Sequence, residues 1–151
     1  MLRGFRGYKH LDIARRTKNL VNKYRTNCPF KLAKILNITI LYLDLPDGVK
    51  GYCQRAFRRK FIVLDQKLTE DEQLFVCAHE LGHLLFHKGI SHYFIEQRTY
   101  FVVGKYERQA NRFAALLLSH GDEIGPGDTA ASVCQRNKIP LEMQHFLSLN
   151  L

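Results

Sequence analysis

Lys60-Phe-Ile-Val-Leu-Asp65-Gln-Lys-Leu-Thr69-Glu-Asp-Glu72-Gln-Leu-Phe-Val-Cys-Ala-His79-Glu80-Leu-Gly-His83-Leu-Leu-Phe-His87-Lys-Gly89 is the stretch from which the rest of the chain is best read. It opens on an apolar, partly β-branched run, the composition of a short strand. Thr69 and Glu72 then form a capping box, a hydroxyl at the N-cap with a glutamate three residues on, which starts a helix. Leu74, Phe75, Ala78, Leu81, Leu85 and Phe86 follow at helical spacing, and Gly89 stands where a C′ glycine ends a helix. His79 and His83, four apart, therefore lie one above the other on a single face. Both imidazoles can reach one metal ion, and Glu80, about 100° round the helix, can reach a water beside it. Burying two histidines and an acid on a leucine-flanked helix is costly without a ligand to satisfy them. Gly82 sacrifices about 1 kcal/mol of helix propensity, which points to a close backbone approach at that position. His87 continues the stripe by one turn and reads as a helix-end histidine favoured by the macrodipole rather than as a fourth ligand.

A hydrolytic zinc site takes about three protein ligands and keeps one position open. Two are in place, and the third must come from another element. Glu107 is the best candidate. It heads a stripe of Glu107, Ala110, Asn111, Ala114 and Leu118 on a second helix, and the alanines suit a helix packed tightly on its neighbour. Asn111, one turn further on, is placed to support that carboxylate or a histidine. Glu96, His92, His120, Asp122 and Glu123 are rivals on less regular ground.

The strand, the helix with His79-Glu80-Leu-Gly-His83, and a helix reading Glu107-Arg-Gln-Ala110-Asn111-Arg-Phe113-Ala114-Ala-Leu-Leu117 together resemble the ImmA/IrrE family of metallopeptidases. The resemblance extends to Cys28-Pro29-Phe30 with Leu32-Ala33, to Lys50-Gly51-Tyr52 and to Phe75-Val-Cys-Ala-His79, from about residue 10 to residue 147. It implies a zincin-like domain of the gluzincin type, with Zn2+ held by His79, His83 and Glu107 and with Glu80 as general base. It also implies the ImmA way of acting, in which a small peptidase encoded on a mobile element cleaves a helix-turn-helix (XRE-type) repressor encoded alongside and so relieves repression. Larger IrrE-type members carry additional domains for which this chain has no room.

Zinc chemistry of this kind needs a donor for the oxyanion. Tyr93, His92 and Tyr100, between the two site helices, are the candidates. The strand at 61–64 is expected to line the cleft and to pair with an extended substrate.

At 151 residues the chain is expected to form one domain, residues 1–151. A basic N-terminal helical part (1–36) precedes a sheet over 38–65, the histidine helix over 69–88, the Glu107 helix over 105–119, and small C-terminal helices over 128–147. The sheet includes a hairpin of Gly51–Phe57 and Lys60–Leu64 joined through Arg58-Arg59. The fold class is α+β, a small, mostly antiparallel sheet packed on a helical half that carries the metal. Net charge is +9. Residues 1–60 hold fifteen Lys and Arg against three acids, whereas residues 61–151 hold eight against eleven. A basic front half invites an acidic partner or nucleic acid, but no helix-turn-helix, zinc-finger or RNA-binding signature accompanies it. Cys28, Cys53, Cys77 and Cys134 are scattered without a C-x-x-C pair, which argues against a thiolate zinc site or a disulfide framework. There is no apolar run of signal-peptide or membrane-span length, so a cytoplasmic protein is expected. Against the peptidase stands a regulator that binds and sequesters its repressor without cleaving it. Glu80 separates the two, because a binder has no need of a base.

Overall fold

The computed structural model describes residues 11–88 and 104–147. Helix α1 (Ile13–Tyr24) is capped by the Asp12 side chain, which accepts from the Arg15 amide. Helix α2 (Pro29–Ile35) follows, with Pro29 in its first turn, where the missing N–H costs nothing. Strands β1 (Ile38–Leu43), β2 (Gly51–Ala56) and β3 (Arg59–Asp65) make one sheet in the order β1-β3-β2. The architecture is the expected α+β, and the sheet is mixed: β2 runs antiparallel to β3, and β1 runs parallel to it. The hairpin sends β2 to the far edge, leaving the other edge of β3 to be taken by β1 in the same direction as β3.

Helix α3 (Glu70–Phe86) starts as the sequence requires. The Glu72 amide donates to Thr69 Oγ1 at 3.3 Å, and the Thr69 amide donates to Glu72 Oε2 at 2.9 Å. His87 is its C-cap, so the helix ends just ahead of Gly89, which lies outside the described residues. Helix α4 (Lys105–Ser119) packs along α3. Helix α5 (Ala130–Arg136) and a 3-10 helix (Leu141–Phe146) follow, within the 128–147 stretch for which small C-terminal helices are expected.

The core lies between the sheet and α3, with α2, α4 and the C-terminal elements round it. Phe75, Val76, Leu81, Ile62, Leu64, Phe113 and Leu117 are fully enclosed. Gly82 sits at the tightest point. A Cβ there would come within 2.9 Å of the Phe113 ring and 3.4 Å of Ala110 Cα, so the glycine and the alanine stripe of α4 together let the two helices approach. That closeness brings a side chain of α4 to the histidines of α3. Among the described residues no helix is long and apolar enough to cross a membrane.

Candidate metal centre

His79, Glu80 and His83 are buried in the middle of α3, and Glu107 is buried in the first turn of α4. The Glu107 carboxylate reaches across the helix contact, with Oε2 3.1 Å from His79 Nε2 and Oε1 2.9 Å from His83 Nε2. The two Nε2 atoms are 3.1 Å apart. Three potential ligand atoms thus converge on one point. They are also the group that the described residues offer a metal ion.

Each histidine is held from behind. His79 Nδ1 lies 2.7 Å from Asn111 Oδ1. A carbonyl oxygen only accepts, so Nδ1 carries the proton and Nε2 keeps its lone pair for the centre. His83 is fixed through two steps. His87 Nε2 donates to Gln109 Oε1 at 2.8 Å, which leaves His87 Nδ1 as an acceptor. His83 Nδ1, 2.8 Å away, donates to it, and His83 Nε2 is again left with its lone pair turned inward. The donors form a set of two neutral imidazoles and one carboxylate, a set that suits zinc.

A model of the IrrE N-terminal-like domain, Peptidase M78, matches residues 33–124, which include all of these side chains. The chain belongs to the IrrE N-terminal-like peptidase family. It is 34% identical over 137 residues to immunity region protein 2 of Bacillus phage phi105, covering 88% of this chain and 87% of that one. It is 29% identical over 113 residues to the metallopeptidase ImmA of Bacillus subtilis, covering 74% of this chain and 65% of ImmA. No solved structure matches.

In this M78 chain the electrostatics favour a bound cation. Burial pushes the His83 pKa down to about 4, with nearby His79 and His87 pushing the same way against the pull of Glu107. Burial alone would raise Glu107, but hydrogen bonds and charge from the His79 and His83 rings, supplied in the metal-free centre when Nε2 carries a proton, hold it down at about 2. At neutral pH the centre therefore presents a neutral His83 beside an ionised carboxylate.

Three residues take a part in the site that the sequence did not indicate. His87 stands at the end of α3 as expected, and it is also buried and supports His83, a role to which its position in the 79/83 stripe points. Gln109 had none, since a glutamine on an amphipathic helix is ordinary. Cys53, buried on β2, lies against Glu80, and burial first, then the charge and hydrogen bonding of Glu80, push its thiol pKa up. The strand expected to pair with substrate is corrected as well. β3, including 61–64, is the central strand, hydrogen-bonded to β1 on one side and β2 on the other, so it has no edge to offer. Among the described residues β2 is the edge strand beside Glu80. Of the rival ligands, Asp122 is engaged by Arg136 at 2.8 Å and by Asn137 at 2.7 Å, away from the centre. His92, Tyr93, Glu96 and Tyr100 lie outside the described residues.

Proposed function

We propose that this chain is a zinc-dependent endopeptidase that cleaves a helix-turn-helix repressor encoded in the same mobile element or operon, and so relieves repression. The observation that carries the reading is the convergence of His79 Nε2, His83 Nε2 and the Glu107 carboxylate within about 3 Å of one another. The Nδ1 atoms of both rings are tied to Asn111 and His87. A pair of core histidines needs no such inward-facing arrangement of lone pairs.

When bound, zinc supplies Lewis acidity towards a peptide carbonyl and towards water. His79, His83 and Glu107 would hold the ion. Asn111, His87 and Gln109 keep the rings aimed, so no reorganisation accompanies the reaction. Glu80, one residue along the helix from His79, takes the proton as water attacks the scissile carbonyl carbon. It returns that proton to the amide nitrogen as the carbon–nitrogen bond breaks. The raised pKa of the Cys53 thiol keeps it protonated beside Glu80, so it can donate a hydrogen bond but cannot compete as a base. The outer side of β2, which carries no strand among the described residues, takes an extended segment of the substrate, the role expected for 61–64. Tyr93, His92 or Tyr100 supplies the oxyanion donor. The name of the phage phi105 relative, an immunity region protein, supports a repressor as substrate, and such a substrate places the activity in the cytoplasm.

The test uses the helix-turn-helix protein encoded beside this one, incubated with zinc-loaded enzyme with and without a chelator, and mapping of any new termini by mass spectrometry. Discrete fragments that disappear on chelation are expected. An intact repressor that nevertheless forms a stable complex with the enzyme would favour the sequestering regulator instead.

A further inference from the structure

The sheet has a second edge, on the side away from Glu80. β1 is separated from β2 by the whole of β3, and its outer side carries no strand among the described residues. Natural edges are protected by lysine, proline or a bulge. Ile38-Thr-Ile-Leu-Tyr-Leu43 has no charge and no proline, and its pairing with β3 runs unbroken from Ile38–Lys60 to Leu43–Asp65. Leu41, Tyr42 and Leu43 are 39%, 49% and 44% exposed. An edge so plain is a template for another strand.

Beside it, at the start of β1, is a cleft of about 610 Å³ whose apolar wall includes Phe30, Ile38 and Ile40. Its charged side chains are Lys34 from α2 and Arg58 and Arg59 from the β2–β3 turn, and none of its lining residues is acidic. That turn is strained. Phe57 and Arg58 both hold positive φ, 51° and 63°, the two central positions of a type I′ hairpin where asparagine or glycine is usual. The turn sets two guanidinium groups, Arg58 and Arg59, at the cleft. No member of the histidine–glutamate centre lines this cleft.

We propose that the outer edge of β1 and the adjoining cationic cleft form a docking site for an extended, acidic segment of a protein partner. The segment adds as a strand beside β1, with an apolar side chain over half-buried Ile40 and carboxylates over Lys34, Arg58 and Arg59. A second copy of this chain pairing through its own β1 is a poor occupant, because it would bring the same three cations. Nucleic acid would satisfy the cations but would leave the main-chain edge and the aliphatic wall unused. The site shares no residue with the metal centre, so it stands or falls independently of the peptidase reading.

The test is fluorescence anisotropy of the full chain with a labelled peptide of alternating glutamate and valine, roughly ten residues long to exceed one strand. Two triple variants of equal net charge are compared, Lys34→Glu/Arg58→Glu/Arg59→Glu in the cleft and Arg15→Glu/Lys18→Glu/Lys23→Glu on exposed α1. The cleft variant is expected to lose affinity about tenfold or more and the α1 variant about twofold or less, since distant exposed charges are screened. Hydrogen exchange on the unmodified chain gives a readout that no folding defect can imitate, namely slowed amide exchange within Thr39–Leu43 when peptide is added. Equal losses in the two variants, or unchanged exchange in β1, would overturn the proposal. So would oligothymidine displacing the peptide from the cleft, or a dimer that the cleft variant abolishes.

Discussion

Replacing His87 by phenylalanine keeps a ring of similar size at the end of α3 and removes the acceptor that holds His83. In the native arrangement His83 Nδ1 donates to His87 Nδ1 at 2.8 Å, and His87 is itself set by Gln109 at 2.8 Å. Without that acceptor a buried N–H is left unsatisfied, at a cost of about 1–3 kcal/mol. The ring can escape the penalty by exchanging tautomers or turning, and either change takes the Nε2 lone pair away from the centre. At about 1.4 kcal/mol per decade, zinc affinity should fall roughly 5-fold to 150-fold, in keeping with the 10–100-fold typical of lost support behind a metal-bound histidine. Competition with a chromophoric chelator at neutral pH measures the loss directly. His87→Gln, which restores a carbonyl acceptor, should recover part of it, and Gln109→Leu should fall between the two. Native affinity in His87→Phe, in a protein with a native melting temperature, would refute the relay.

The remaining predictions concern stability and pH. Gly82→Ala should destabilise the fold by about 1–3 kcal/mol of overpacking, despite the helix propensity it gains, because its Cβ would meet the Phe113 ring at 2.9 Å; urea denaturation measures it, and a more stable variant would contradict the helix contact described. Thr69→Ala should cost about 1 kcal/mol by removing the hydroxyl that accepts from Glu72, read as a shift in the same midpoint without a change in slope. The metal-free protein should lose stability on acidification. His83 falls from 6.5 to about 4 on folding, so the unfolded chain binds the extra proton as pH drops below 6.5. Glu107, lowered from 4.5 to about 2, acts in the same direction at still lower pH. Melting temperatures of chelator-treated protein between pH 7 and pH 4 should therefore decline steadily, and a rise would contradict the burial of a neutral His83.

Much of the centre was legible because helical periodicity is a strong local code. The capping box fixed where α3 begins, the four-residue spacing fixed the histidine face, and the alanine stripe on α4 announced both the close contact and the glutamate at its head. Gly82 was informative for the same reason, as a residue with a local cost that only a neighbour could justify. What the sequence concealed depends on pairing between distant elements. The parallel sense of β1 and the central place of β3 follow from how the hairpin folds back on the sheet, and no residue in 61–64 encodes it. Cys53 meets Glu80 only because β2 lies beside α3, and Gln109 becomes significant only once His87 is seen behind His83. The hairpin itself was legible, but its turn falls at Phe57-Arg58 rather than at Arg58-Arg59, because neither Phe57 nor Arg58 is a residue that a type I′ turn normally selects.

The most direct test of the central claim is a paired measurement on wild type and Glu80→Gln, with metal content and intact repressor mass recorded from the same samples. The account predicts roughly one zinc per chain in both proteins, since Glu80 lies outside the ligand set, and repressor fragments with wild type alone. Equal cleavage by Glu80→Gln, or zinc lost together with activity, would contradict it.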